Sequence, residues 1–146
     1  MQIGYYETQY CKVFETGERV KVGSFTSDES FNLKYIRAKL YKKGLARGKT
    51  KVVISSSSDF LDNMAESSWI KNTELEDFSF VNFEFIGANI RSDCKYYISF
   101  VTENYTRDGD NTYIGALHDW PDSTYASSTG GLLNGHGIYF AVFGET

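Results

Sequence analysis

At 146 residues, with 41% hydrophobic and 16% aromatic positions and a single proline, the chain has the length of one domain and enough apolar surface for its own core. The net charge of −4 argues against a general nucleic-acid binder, and eleven Tyr with eleven Phe are not the composition of a disordered tail. No apolar run reaches the ~20 residues of a membrane span, and the opening M-Q-I-G-Y-Y-E-T-Q-Y lacks the basic and apolar regions of a secretory signal.

Read in chain order, the sequence predicts strands and little else. Residues 5–14 form a first strand, within a segment 1–19 that is either an N-terminal arm or that strand alone. Val20–Thr26 alternates Val20, Val22 and Ser24. In Phe31–Lys42, Phe31 and Leu33 share one parity, whereas Ile36, Ala38 and Leu40 share the other. Side chains alternate faces along a strand, so the switch predicts a bulge near Lys34–Tyr35. It leaves Tyr35, Arg37, Lys39 and Tyr41 on the outward face. Thr50–Ser55 is a short β-branched strand.

The segment Asp59–Ile70 puts only Phe60 and Met64 on a shared helical face and reads as a loop with at most one helical turn. Phe78–Phe85 shows a second parity switch, from Phe78 and Phe80 to Val81, Phe83 and Phe85. Tyr96, Ile98 and Phe100 alternate cleanly. Tyr113–Leu117 and Ile138–Phe143 bring the set to about eight strands, separated by turn-forming runs such as R-D-G-D-N and S-S-T-G-G. Many short strands without intervening helices predict an all-β, antiparallel β-sandwich, jelly-roll-like, over 20–146 as a single domain.

The run S-F-T (Ser24–Thr26) followed by F-N-L-K-Y-I-R-A-K-L-Y-K-K-G (Phe31–Gly44) resembles the opening of a jelly-roll module that recurs in phage virion proteins and bacterial surface proteins. I-R-S-D-C-K-Y-Y-I-S-F (Ile90–Phe100), T-Y-I-G-A (Thr112–Ala116), Y-A-S-S-T-G-G (Tyr125–Gly131) and I-Y-F-A-V-F-G-E (Ile138–Glu145) resemble its later pieces, in the same order. The likeness runs over 20–146 and departs from the pattern between Asp59 and Glu76. Segment 1–19 lies outside it. The resemblance implies a virion structural protein of the capsid cement (decoration) or fibre type, made in the host cytoplasm without export and assembled into the virion. Its implied partners are the major capsid protein or another virion protein and further copies of itself, a trimer being favoured.

Charge is unevenly placed. Lys34–Lys51 holds eight basic residues and no acid, and all nineteen acids lie elsewhere. The face of Tyr35, Arg37, Lys39 and Tyr41 is therefore a candidate for docking on an acidic protein surface, against the plainer reading of a solvated face whose lysines guard an edge.

Catalytic signals are weak. The two histidines, His118 and His136, fall in no metal-ligand spacing, and there is no nucleophile elbow or phosphate loop. Asp108–Asn111 is half of a calcium loop without its closing Glu, better explained as a tight turn. No enzyme activity, metal or cofactor is expected. The segment H-D-W-P-D-S-T-Y collects His118, Asp119, Trp120 and Tyr125, a set that could grip a sugar by ring stacking and carboxylate hydrogen bonds. The competing reading is that Trp120 plugs the sandwich end. A carbohydrate-binding sandwich module is thus the alternative to the structural role. Cys11 and Cys94 make no disulfide framework and are expected to be reduced and packed as small hydrophobes.

Overall fold

The computed structural model describes residues 11–14, 19–76, 79–109, 111–119, 137–138 and 140–145. Two antiparallel sheets pack face to face as a β-sandwich, as predicted. Eleven strand segments occur among the described residues: β1 (Cys11–Val13), β2 (Arg19–Thr26), β3 (Phe31–Lys43), β4 (Lys49–Ser55), β5 (Asn63–Glu66), β6 (Ile70–Lys71), β7 (Ser79–Ile90), β8 (Lys95–Glu103), β9 (Tyr113–Asp119), β10 (Gly137–Ile138) and β11 (Phe140–Glu145).

The first sheet is built around β3. It pairs with β7 along one side, and with β11 and then β9 along the other. β1 and β10 add to β9. In the second sheet β8 lies between β2 and β4, and β5 and β6 pair in succession with β4. β3 can hold the centre because its parity matches the core. Ile36, Ala38 and Leu40 are at most 1% exposed and meet the second sheet's Val52, Ile54, Ile98 and Phe100 in one cluster. Phe100 packs on Phe14 and Phe83, with ring centroids 5.3 Å and 5.6 Å away. Core aromatics in such tilted contacts hold the two layers in one relative position.

The predicted bulge in β3 is present: pairing with β7 shifts register between Leu33 and Tyr35. On the partner strand, Phe85, Ile86 and Gly87 all fall against this step, and Gly87 takes φ +70. The second parity switch has a different origin from the one expected. From Phe80 to Phe85 the strand alternates without a break, Phe83 and Phe85 pointing in and Phe80 pointing out. Phe80 is an outward aromatic, so no bulge is needed at that point.

Two further expectations are corrected. Asp59–Ile70 is not a loop throughout. It turns through Phe60 and then forms the edge strand β5, because its backbone pairs with β4 from Val53 to Ser55. Phe60 itself adopts φ +65 and is 3% exposed, its ring edge-on to Tyr97 at 5.2 Å. Arg19 Nη1 and Ser55 Oγ donate to the Phe60 carbonyl at 2.8 Å and 3.0 Å, which holds this strained residue in place. Cys94 is not packed as a hydrophobe: it is a free, exposed thiol in the β7–β8 turn.

Candidate interaction surface

Tyr35, Arg37, Lys39 and Tyr41 do project together from the outward side of β3, since the residues between them fill the core. The face they make is covered. Lys39 is 5% and Tyr41 9% exposed, and Tyr35 and Arg37 are half-buried. The covering comes from the strands on either side. Register sets Tyr35 opposite Phe143 on β11, Arg37 opposite Asn82 on β7, and Lys39 opposite Phe80 on β7. Directly opposed and diagonal neighbours on a sheet face are within reach of long side chains.

The result is a cation–aromatic strip. The Arg37 guanidinium lies 5.0 Å from the Phe143 ring centroid, 5.7 Å from Tyr35 and 5.9 Å from Phe80. Its Nε donates to Asn82 Oδ1 at 2.9 Å. Tyr35 and Phe143 stack at 4.5 Å with their planes 18° apart. Lys39 Nζ sits 5.2 Å from the Phe80 centroid, and burial pushes its ammonium below the ordinary lysine value. Tyr41 closes the strip edge-on to Tyr113, at 5.6 Å. A guanidinium over an aromatic face gains electrostatically from the ring quadrupole, more so as water is excluded. Two apolar side chains of β7 reach solvent beside this strip or at its bulge, Phe80 at 45% and Ile86 at 95% exposure.

The basic island therefore divides. Arg37 and Lys39 are built into the sheet face, while Lys49 and Lys51 on β4 belong to the other sheet, with their ammonium groups 4.6 Å and 4.4 Å from the Trp69 ring centroid. Lys51 also pairs with Glu66, and Lys49 with Glu103 at 3.6 Å. Trp69, Phe80 and Phe143 escaped the sequence reading. Alternation marks Phe80 only as an exception, and nothing local to Phe143 or Trp69 indicates which cation lies beside it.

Of the candidate sugar-binding set, His118 and Asp119 end β9, where their backbones pair with Ile138 and Gly137. Trp120 and Tyr125 lie outside the described residues. Among the described residues, no group of three or more His, Cys, Asp or Glu is placed to hold a metal ion. Asp108 and Thr112 close a tight β-bridge around the turn read from D-G-D-N, with Gly109 at φ +49. No family model and no curated protein matches the chain.

Proposed function

We propose that the protein is a non-enzymatic structural component of a phage virion, a capsid cement or decoration protein that binds the head shell and stabilises it, acting as a homo-oligomer. The observation that carries the binding part of this reading is the strip centred on Arg37. Tyr, Phe and Arg are the residues enriched in protein–protein interfaces. Here they are held by neighbours on both sides before any partner arrives, which lowers the ordering cost of association. Phe80 and Ile86 supply apolar surface that the monomer leaves in water. The virion setting rests on the order of strand motifs in 20–146 and their resemblance to the jelly-roll module.

The test begins with the mass of the purified protein by light scattering at low and high salt. A salt-stable trimer or larger closed oligomer supports the reading, and a monomer at both salts overturns its oligomeric part. Cosedimentation with heads lacking the protein tests the shell itself. Lys39 is buried, so charge reversal there would disturb the fold, and Phe80→Ser with Ile86→Lys is the cleaner probe. Unchanged cosedimentation of that folded double variant would remove this face from the proposal.

A further inference from the structure

At the end of the first sheet, where β3 begins and β7 and β11 finish, there is an open hollow of about 470 Å³. Asn32, Asn89, Arg91 and Glu145 line it, with Phe31 and Ile90 as the apolar part of its wall. Register sets three of the polar residues side by side: Asn32 opposes Asn89 on β7 and Glu145 on β11. Opposed residues project from the same face, with Cβ atoms about 4.5–5.5 Å apart. An amide, an amide and a carboxylate thus form a row across three adjacent strands. The row faces away from the core, because Asn32 alternates with the buried Leu33, and Asn89 stands between the buried Ala88 and Ile90.

Nothing in the shell-binding reading uses this row, and one of its members is out of balance. Asn32 Oδ1 is shut off from solvent and has no hydrogen-bond partner among the described residues. Buried polar atoms nearly always have a partner. The terminal torsion of an asparagine is soft, so a flip of the amide would exchange the positions of Oδ1 and Nδ2 with the backbone unmoved. Glu145 adds a second acceptor, its side chain 74% exposed and 3.8 Å from the Lys34 ammonium. Arg91 adds donors at the rim. Its position is set by two bonds in the same turn: its own backbone N–H donates to Tyr96 Oη at 2.9 Å, and that of Ser92 donates to Ser30 Oγ at 2.9 Å.

We propose that this hollow is a binding site for a hydroxyl-rich ring, a single saccharide unit. Acceptors (Asn32, Glu145), a donor (Arg91) and a group that is both (Asn89) match hydroxyls, each of which donates and accepts. Lys34 and Arg91 together offset Glu145, so the site does not favour a cation. Half-buried Phe31 offers an apolar edge to the C–H face of a ring, in the pattern of pockets that are part apolar with a few convergent polar groups. None of its lining residues belongs to the His118–Tyr125 segment, and it does not depend on the shell-binding reading.

The experiment is a titration of the ¹⁵N-labelled full chain with the methyl glycosides of glucose, galactose, mannose and N-acetylglucosamine, to millimolar concentrations. At least one should give saturable shifts of the Asn32 and Asn89 side-chain amide signals and of the Arg91 backbone signal. Asn32→Ala should then weaken that ligand by about threefold to tenfold, with the same spectrum reporting that the fold is intact. Glu145→Gln, an exposed position, gives a second reading with little risk to folding. The proposal is overturned by no saturable shift with any of the four glycosides, by shifts confined to the His118–Tyr125 segment, or by wild-type affinity in both variants.

Discussion

The guanidinium of Arg37 on β3 lies 5.0 Å from the ring centroid of Phe143 on β11, near the C-terminus. That contact ties the central strand to the chain's last one on the face away from the core. Together with the rings of Tyr35 and Phe80 and the Asn82 amide, it makes Arg37 a packing residue as much as a charge. Arg37→Ala should cost about 1–3.5 kcal/mol, from about 0.5–2 for a partly desolvated cation–aromatic contact and about 0.5–1.5 for the hydrogen bond. Arg37→Lys should recover part of the loss but not the planar stacking. Urea denaturation of both variants, with Phe143→Leu to close a double-mutant cycle, reads the coupling. A cycle that closes at zero would make the strip incidental.

Tyr105 is a second tie, this one inside the core. Its hydroxyl donates to the Phe14 carbonyl at 2.6 Å and accepts from the Ile114 N–H at 3.2 Å, and the residue is 3% exposed. Tyr105→Phe keeps the ring and leaves a buried carbonyl and a buried N–H short of a partner. The expected loss is about 1–3 kcal/mol, and amide exchange at Ile114 should quicken relative to that at Ile98 in the middle of β8. Equal exchange at both sites in the variant would mean that the bridge carries no local stability.

What the sequence made legible was alternation, and where alternation failed the structure could not be read. Tyr96, Ile98 and Phe100 announce β8 because every second side chain is buried. The Leu33–Ile36 parity change announces the β3 bulge for the same reason. β5 gives no such signal: as an edge strand, Asn63, Met64 and Glu66 are exposed and Ala65 is only half-buried, so its strand character comes from pairing with β4 alone. Phe80 mimics a bulge because aromatic residues are expected inside, and it lies outside over Lys39. Arg37 could be placed on the outward face from parity, but its three rings could not, since Phe80 and Phe143 arrive through cross-strand register. The same holds for the hollow, where Asn32, Asn89 and Glu145 are ordinary polar residues until β3, β7 and β11 set them side by side.

Lys39 makes stability depend on pH with a definite sign. Burial lowers its folded-state value below the ordinary 10.5. The unfolded chain therefore holds more protons than the folded one between the lowered value and 10.5, and stability rises with pH across that window. Below the window both states carry the charge, and the folded state bears the net cost of desolvating it. Lys39→Met removes this titration. Its stability relative to wild type should be greatest near neutral pH and should fall steadily as the pH approaches 10.5. Denaturant midpoints for the two proteins at several pH values provide the check, and a difference that does not change with pH would mean that Lys39 titrates as an exposed lysine does.

Gly48 and Gly87 both have positive φ, +87 and +70, and differ in what surrounds them. A Cβ on Gly48 would stand 2.4 Å from the Glu103 carbonyl oxygen and 2.7 Å from Asn104 backbone atoms, with no flexible side chain to yield. A Cβ on Gly87 would meet nothing within 4 Å. Gly87→Ala should therefore cost only the left-handed backbone term of about 1–2 kcal/mol. Gly48→Ala must add a backbone displacement where the β3–β4 turn meets the end of β8, and should fall among the large single-site effects of about 4 kcal/mol or more. Chemical denaturation of the two variants side by side separates the terms, because the torsional penalty is common to both. Equal losses would show that the turn shifts freely and that the close approach of Gly48 to Glu103 does not constrain it.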